Sequence, residues 1–99
     1  MVTLTVLYPT PGDVDAFNAH YFDTHIPLAG KVPGLDAARV TRFHPGPDGS
    51  APQYHLMAQL ESADAETMGS ALASEEGQAL AADVANLQVT PVMLTGDTQ

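Results

Sequence analysis

Ninety-nine residues are enough for one domain with a thin core. Twelve acids against Lys31, Arg39 and Arg42 give a net charge of −9, which repels phosphate backbones and anionic bilayers and argues against nucleic acid and membrane surfaces as partners. The lack of cysteine excludes disulfides, thiolate metal sites and a cysteine nucleophile, and it fits a cytoplasmic setting.

The opening Met-Val-Thr-Leu-Thr-Val-Leu has no basic region of the kind that starts a signal peptide, and no apolar run approaches the ~20 residues of a membrane span. From Val2 to Tyr8 the residues alternate, with Val2, Leu4, Val6 and Tyr8 on one side and Thr3, Thr5 and Leu7 on the other. Period two with β-branched residues predicts a strand, which Pro9-Thr-Pro-Gly12 ends. Asp13 is suited to cap a helix, with Asp15 in its first turn and Val14, Phe17 and Tyr21 along one stripe. Pro27 disfavours helical dihedrals at Ile26, so the regular helix is expected to stop near His25. Leu28 to Val32 forms at most another turn before Pro33-Gly34.

Leu35 to His44 reads as a second strand and Gln53 to Glu61 as a third, joined by the Pro/Gly-rich loop Pro45 to Pro52. Ser62 is the expected cap of the next helix, which carries Ala65, Met68 and Leu72 on one stripe. Ser74-Glu-Glu restarts a short helix through Leu80 and Val84. Leu87 to Leu94 completes the pattern as a fourth strand, with Pro91 demanding an edge or bulge position, and Gly96-Asp-Thr-Gln99 reads as a frayed end.

This order predicts an α+β, ferredoxin-like βαββαβ fold: a four-stranded antiparallel sheet with both helices on one face. Val2, Leu4, Val6, Leu56, Ala58, Leu60, Leu87 and Val89 suit the covered face. Thr3, Thr5, Leu7, His55, Met57, Gln59, Thr90 and Val92 are left for the other, which is too apolar to stand in water. The expectation is a homodimer through that open face, with a cavity for a small hydrophobic ligand between the two sheets. An RNA-binding domain shares the strand order but calls for aromatic and basic residues on the open sheet, which are lacking here.

Phe17-x-x-His-Tyr-x-x-Thr-His-x-Pro-Leu28 followed by Lys31-x-Pro-Gly-Leu35 resembles the signature of the EthD family. Leu7-Tyr-Pro9, Ser74-Glu-Glu-Gly77 and Ala82-Asp-Val-Ala-Asn86 are also similar, so the resemblance spans nearly the whole chain. It implies a dimeric α/β barrel whose relatives include cyclases, isomerases and cofactor-free or haem-linked monooxygenases. Fold alone does not choose among them.

His25, at the expected helix end, is the first candidate for acid/base catalysis, against the alternative of a histidine that caps free carbonyls. His55, on the expected pocket face of the third strand, is the second, against an interface histidine. Tyr8, Tyr21, Thr5, Met57 and Gln59 are the candidate substrate contacts, although Tyr21 is better explained as core, on one stripe with Val14 and Phe17. Arg39 and Arg42 read as surface charges. His20 and His25 stand five apart, roughly 140° around an α-helix, so they are not expected on one face. No metal, haem, dinucleotide or phosphate-loop pattern is present, so the expected chemistry needs no cofactor: proton transfer on a small hydrophobic or aromatic oxygenated metabolite. An oxygen-using monooxygenase and a non-catalytic ligand-binding accessory protein are the alternatives.

Overall fold

The period-two run at the N-terminus becomes the centre of the sheet. In a computed structural model that describes Met1–Gln99, the elements are β1 (Val2–Pro9), α1 (Val14–His20), a π-helical turn (Tyr21–His25), α2 (Ile26–Gly30), β2 (Ala37–Arg42), β3 (Tyr54–Ser62), α3 (Ala65–Ala73), α4 (Glu75–Asp83), a 3-10 turn (Val84–Asn86) and β4 (Val92–Asp97). One sheet runs in the order β2-β3-β1-β4, with every neighbouring pair antiparallel. This is the α+β, ferredoxin-like βαββαβ arrangement, with the helices over one face.

Val2, Leu4, Val6 and Tyr8 are buried on that face, opposite Leu56, Ala58 and Leu60 of β3. Each such Val or Leu side chain contributes ~1.5–3 kcal/mol on burial. Phe17, Tyr21, Met68, Ala71 and Leu80 cover them from the helices. Asp13 caps α1 as expected, accepting from the Ala16 N–H at 3.0 Å, and Ser74 caps α4 through the Gly77 N–H at 3.0 Å. Gly77 is required there, since a Cβ at that position would lie 2.2 Å from the Ala71 carbonyl oxygen.

Four expectations are corrected. The helix does not stop at His25; a π turn carries it into α2. Ile26 adopts helical dihedrals in spite of Pro27, and its N–H bonds the Tyr21 carbonyl, five residues back. The wider turn makes room for the pyrrolidine ring and absorbs its missing donor. Ser62 does not cap α3. It ends β3, fully buried, and its hydroxyl donates to the Gly34 carbonyl at 2.7 Å, while Asp64 caps the helix by accepting from the Thr67 N–H at 2.8 Å.

The last strand starts at Val92 instead of Leu87, after Pro91, whose missing donor would have interrupted the ladder. Leu87 is a buried plug outside the sheet. Gln88 turns the chain at φ +66°, and its amide both donates to and accepts from the Asp13 backbone. Thr90 therefore lies outside the sheet, and Met93 and Thr95, opposite Val6 and Leu4, take the helix-side positions expected of Leu87 and Val89 but stay exposed, Met93 at 53%. The C-terminus is not frayed from Gly96 onward: Gly96 and Asp97 pair with Thr3 and Val2, and the Thr98 N–H donates to the Met1 carbonyl at 2.8 Å.

An apolar cavity of about 350 Å³ also lies within one chain, between the sheet and the helices, in addition to a polar depression on the open sheet face. The apolar cavity exists because small residues meet there: Ala58 and Ala38 from the sheet, and Ala29, Gly77 and Ala81 from the helices, leave space that larger side chains would fill. No helix is long and apolar enough to cross a membrane.

Candidate functional site

The π turn decides the geometry of the site. Its five-residue hydrogen-bond step rotates residues i and i+5 toward one side, so His20 and His25 reach the same carboxylate. An ideal α-helix would set them roughly 140° apart. His25 Nδ1 lies 2.8 Å from Asp83 Oδ2, and His20 Nε2 lies 2.8 Å from Oδ1 and 3.0 Å from Oδ2. Asn86 Nδ2 donates to Oδ1 at 3.1 Å from the 3-10 turn. The expectation that His20 and His25 do not share a face is corrected: the His20 side chain is 31% exposed, yet it is held by the same Asp83 carboxylate as His25.

His25 and Asp83 are both buried, at 5% and 8% exposure. Burial alone would raise the Asp83 carboxyl, but the hydrogen bonds from His25, Asn86 and His20 outweigh it and hold the group below its usual range. An ionised carboxylate only accepts. Neutral His25 therefore carries its proton on Nδ1 and its lone pair on Nε2.

Nε2 points toward the Tyr8 hydroxyl at 3.4 Å, a long separation. Both side chains line the apolar cavity, together with Tyr21. Burial, and next the Asp83 charge, push the Tyr8 phenol up to about 12. Burial, and next Tyr8, push Tyr21 higher still. Both remain neutral phenols at physiological pH. Tyr21 packs its ring between Phe17 (centroids 5.7 Å apart) and His25 (5.1 Å), and Tyr8 meets all three rings edge-on. Tyr21 is thus both core, at 1% exposure, and cavity wall.

The other candidates lie elsewhere. His55 does not meet His25. Its Nε2 bonds Asn18 Oδ1 at 2.7 Å, and its ring stands edge-on to Phe17, so two aromatic rings intervene. Alternation along β3 put it on the open face. The register shift at Tyr8/Pro9, where β3 begins opposite β1, goes with a ring turned toward α1 instead. Burial first, then Arg42, lowers its pKa, so it too favours the neutral form. Thr5, Met57 and Gln59 lie on the open face, across the sheet from the cavity; Thr5 and Gln59 border a shallow polar depression with Arg39 and Glu61. Arg39 lies 3.6 Å from Glu61, and Arg42 sits over the Phe22 ring.

Asp83, Asn86 and Asn18 are absent from the sequence-based candidates. Asp83 carries one readable signal: a carboxylate in the last turn of a helix opposes the helix dipole, so it needs a cationic or donating partner. No cluster of three or more candidate ligands is arranged to hold a metal ion.

Residues 10–90 match the EthD domain. An uncharacterised 11.0 kDa protein of Rhodococcus erythropolis, from the thcB-thcC intergenic region, is 40% identical over 90 residues, covering 87% of this chain and 82% of that protein. An EthD family protein of Bacillus halodurans superposes with a TM-score of 0.92 at 35% identity, over 100% of this chain and 99% of that one. The cofactor-independent oxygenase SnoaB of Streptomyces nogalater is similar in fold, with a TM-score of 0.72 at 14% identity over 99% of this chain and 92% of its own. The EthD match takes in the whole His20–Asp83–His25 cluster and the turn that builds it, and on that match the chain belongs to the EthD family, in the dimeric α/β-barrel superfamily.

Proposed function

We propose that the protein is a cofactor-independent enzyme in which His25 moves a proton on a small, largely apolar, oxygenated substrate held in the inner cavity. The observation that carries this is the 2.8 Å contact of His25 Nδ1 with an ionised Asp83, which leaves a basic Nε2 in an apolar cavity. Nε2 takes a proton from a carbon next to a carbonyl, or from a phenol. The electron pair passes to the substrate oxygen, where the neutral hydroxyl of Tyr8 or Tyr21 donates a hydrogen bond. The imidazolium that forms is stabilised by Asp83. Return of the proton to another position is isomerisation; attack of the carbanion on an internal carbonyl is cyclisation.

The cavity lies at the low end of the ~300–1,000 Å³ range of small-molecule pockets and is lined mainly by apolar side chains, with Arg39 among the lining residues, so it suits a compact, largely apolar ring system. His55, Thr5, Met57 and Gln59 have no part in this step. The open face, with half-buried Leu7 and Met57 beside exposed Val92 and Leu94, fits a homodimer contact, which Leu94→Arg should disrupt in sedimentation analysis. An acidic chain without cysteine fits a cytoplasmic setting.

The test is deuterium uptake from heavy water into a panel of 1,3-dicarbonyl and phenolic aromatic probes. Wild type should catalyse exchange at the acidic position of the probes that bind, with His25→Ala losing it. Equal exchange in both proteins overturns the reading. Binding without exchange identifies a non-catalytic ligand carrier. Turnover that stops when oxygen is removed identifies the monooxygenase alternative, in which the carbanion is captured by O₂.

A further inference from the structure

Asp83 serves two imidazoles, and only one faces the cavity. His25 is buried beneath the helix, whereas His20 reaches the same carboxylate from the solvent side and is 31% exposed. Asp83 Oδ2 alone lies within 2.8 Å of His25 Nδ1 and 3.0 Å of His20 Nε2. The charge that supports an imidazolium at His25 is therefore open to a second cation about 3 Å from the same oxygen.

We propose that His20 is a positioning residue that sets the basicity of His25 through the carboxylate they share. Neutral His20 donates one hydrogen bond and leaves the Asp83 charge to favour a proton on His25. Protonated His20 spends that charge, and His25 holds its proton less well. The other groups facing them do not compete: Asn86 is uncharged, and the Tyr8 and Tyr21 phenols beside His25 stay neutral until strongly alkaline pH. The role of this coupling in turnover rests on the reading of His25 as the acid/base, but the coupling itself does not.

The test needs no substrate. Ring ¹⁵N and ¹H shifts of His25 are followed against pH in wild type, His20→Gln and His20→Arg. Gln keeps a neutral donor, and its His25 midpoint should rise. Arg fixes a cation beside Asp83, and its His25 midpoint should fall, each by roughly half a unit or more. His20→Lys supplies the same charge if the guanidinium does not fit. A structural role for His20 would move both variants in one direction, so equal midpoints or shifts of the same sign overturn the proposal. In an Asp83→Asn background the difference between Gln and Arg should shrink, since the shared charge is gone; a difference of undiminished size also overturns it. Opposite shifts with no deuterium exchange on any probe would leave the coupling standing and remove only the catalytic reading.

Discussion

His25 and His55 are the same residue type, both partly or wholly buried, and both stand at an end of the Phe17–Tyr21 aromatic row. Their partners separate them. His25 meets an ionised carboxylate and turns its second nitrogen to the cavity; His55 meets the Asn18 amide oxygen and has an arginine nearby. A carboxylate rewards the charged imidazole, whereas burial and a nearby guanidinium reward the neutral one. The chemistry of a histidine lies in what its first nitrogen bonds, and the segment 18–35, rich in histidine and aromatic residues, does not contain that partner. It comes from Asp83, 58 residues away.

The largest expected difference is therefore catalytic. His25→Ala should lower the exchange rate on a responsive probe by ~10²–10⁴-fold, the usual contribution of a positioned acid/base, while His55→Gln should change it by less than about tenfold. Comparable losses in the two variants would erase the distinction. Stability comes next. Asp83→Ala removes the acceptor for His20, His25 and Asn86 and should cost about 3 kcal/mol in urea unfolding. Asn18→Ala strips one bond from His55 and should cost about 1 kcal/mol.

The pH dependence separates the same two clusters. The folded carboxyl of Asp83 is depressed, so its stabilisation is complete above the unfolded value near 4 and is lost as pH falls through the lower, folded value. Asp83→Asn should flatten that acid limb. Tyr8 is raised, so its neutral form stabilises the fold fully below about 10, and that contribution is lost as pH rises toward about 12. Tyr8→Phe should flatten the alkaline limb. Thermal midpoints across pH check both.

The fold was legible because burial imposes its period on the chain. Val2 to Tyr8 and Leu56 to Leu60 alternate, and the caps at Asp13 and Ser74 are chemically distinctive. The errors arose where one local rule met another. Pro27 ordinarily disfavours a helical residue before it, but a π turn accommodates it, and that same turn places His20 beside His25. Leu87 and Val89 look like strand residues because an apolar segment packed against the core outside a sheet shares its composition with a buried strand. The site was half legible: His25, Tyr8 and Tyr21 converge, but Asp83 and the location of the cavity depend on long-range packing that no local pattern encodes.

The smallest expected effect probes His55 alone. Burial and Arg42 lower its folded pKa below the unfolded value near 6.5. Above that value both states are neutral and the residue adds no pH dependence. Below it the unfolded chain takes up a proton that the fold resists, so stability declines as pH falls from about 6.5 through the folded value. His55→Gln keeps a donor for Asn18 and removes this slope, so the difference between wild type and variant should grow on acidification through that window. Asp83 contributes no slope there, because its carboxylate is fully ionised in both states well above pH 4, so the difference between wild type and His55→Gln reports on His55.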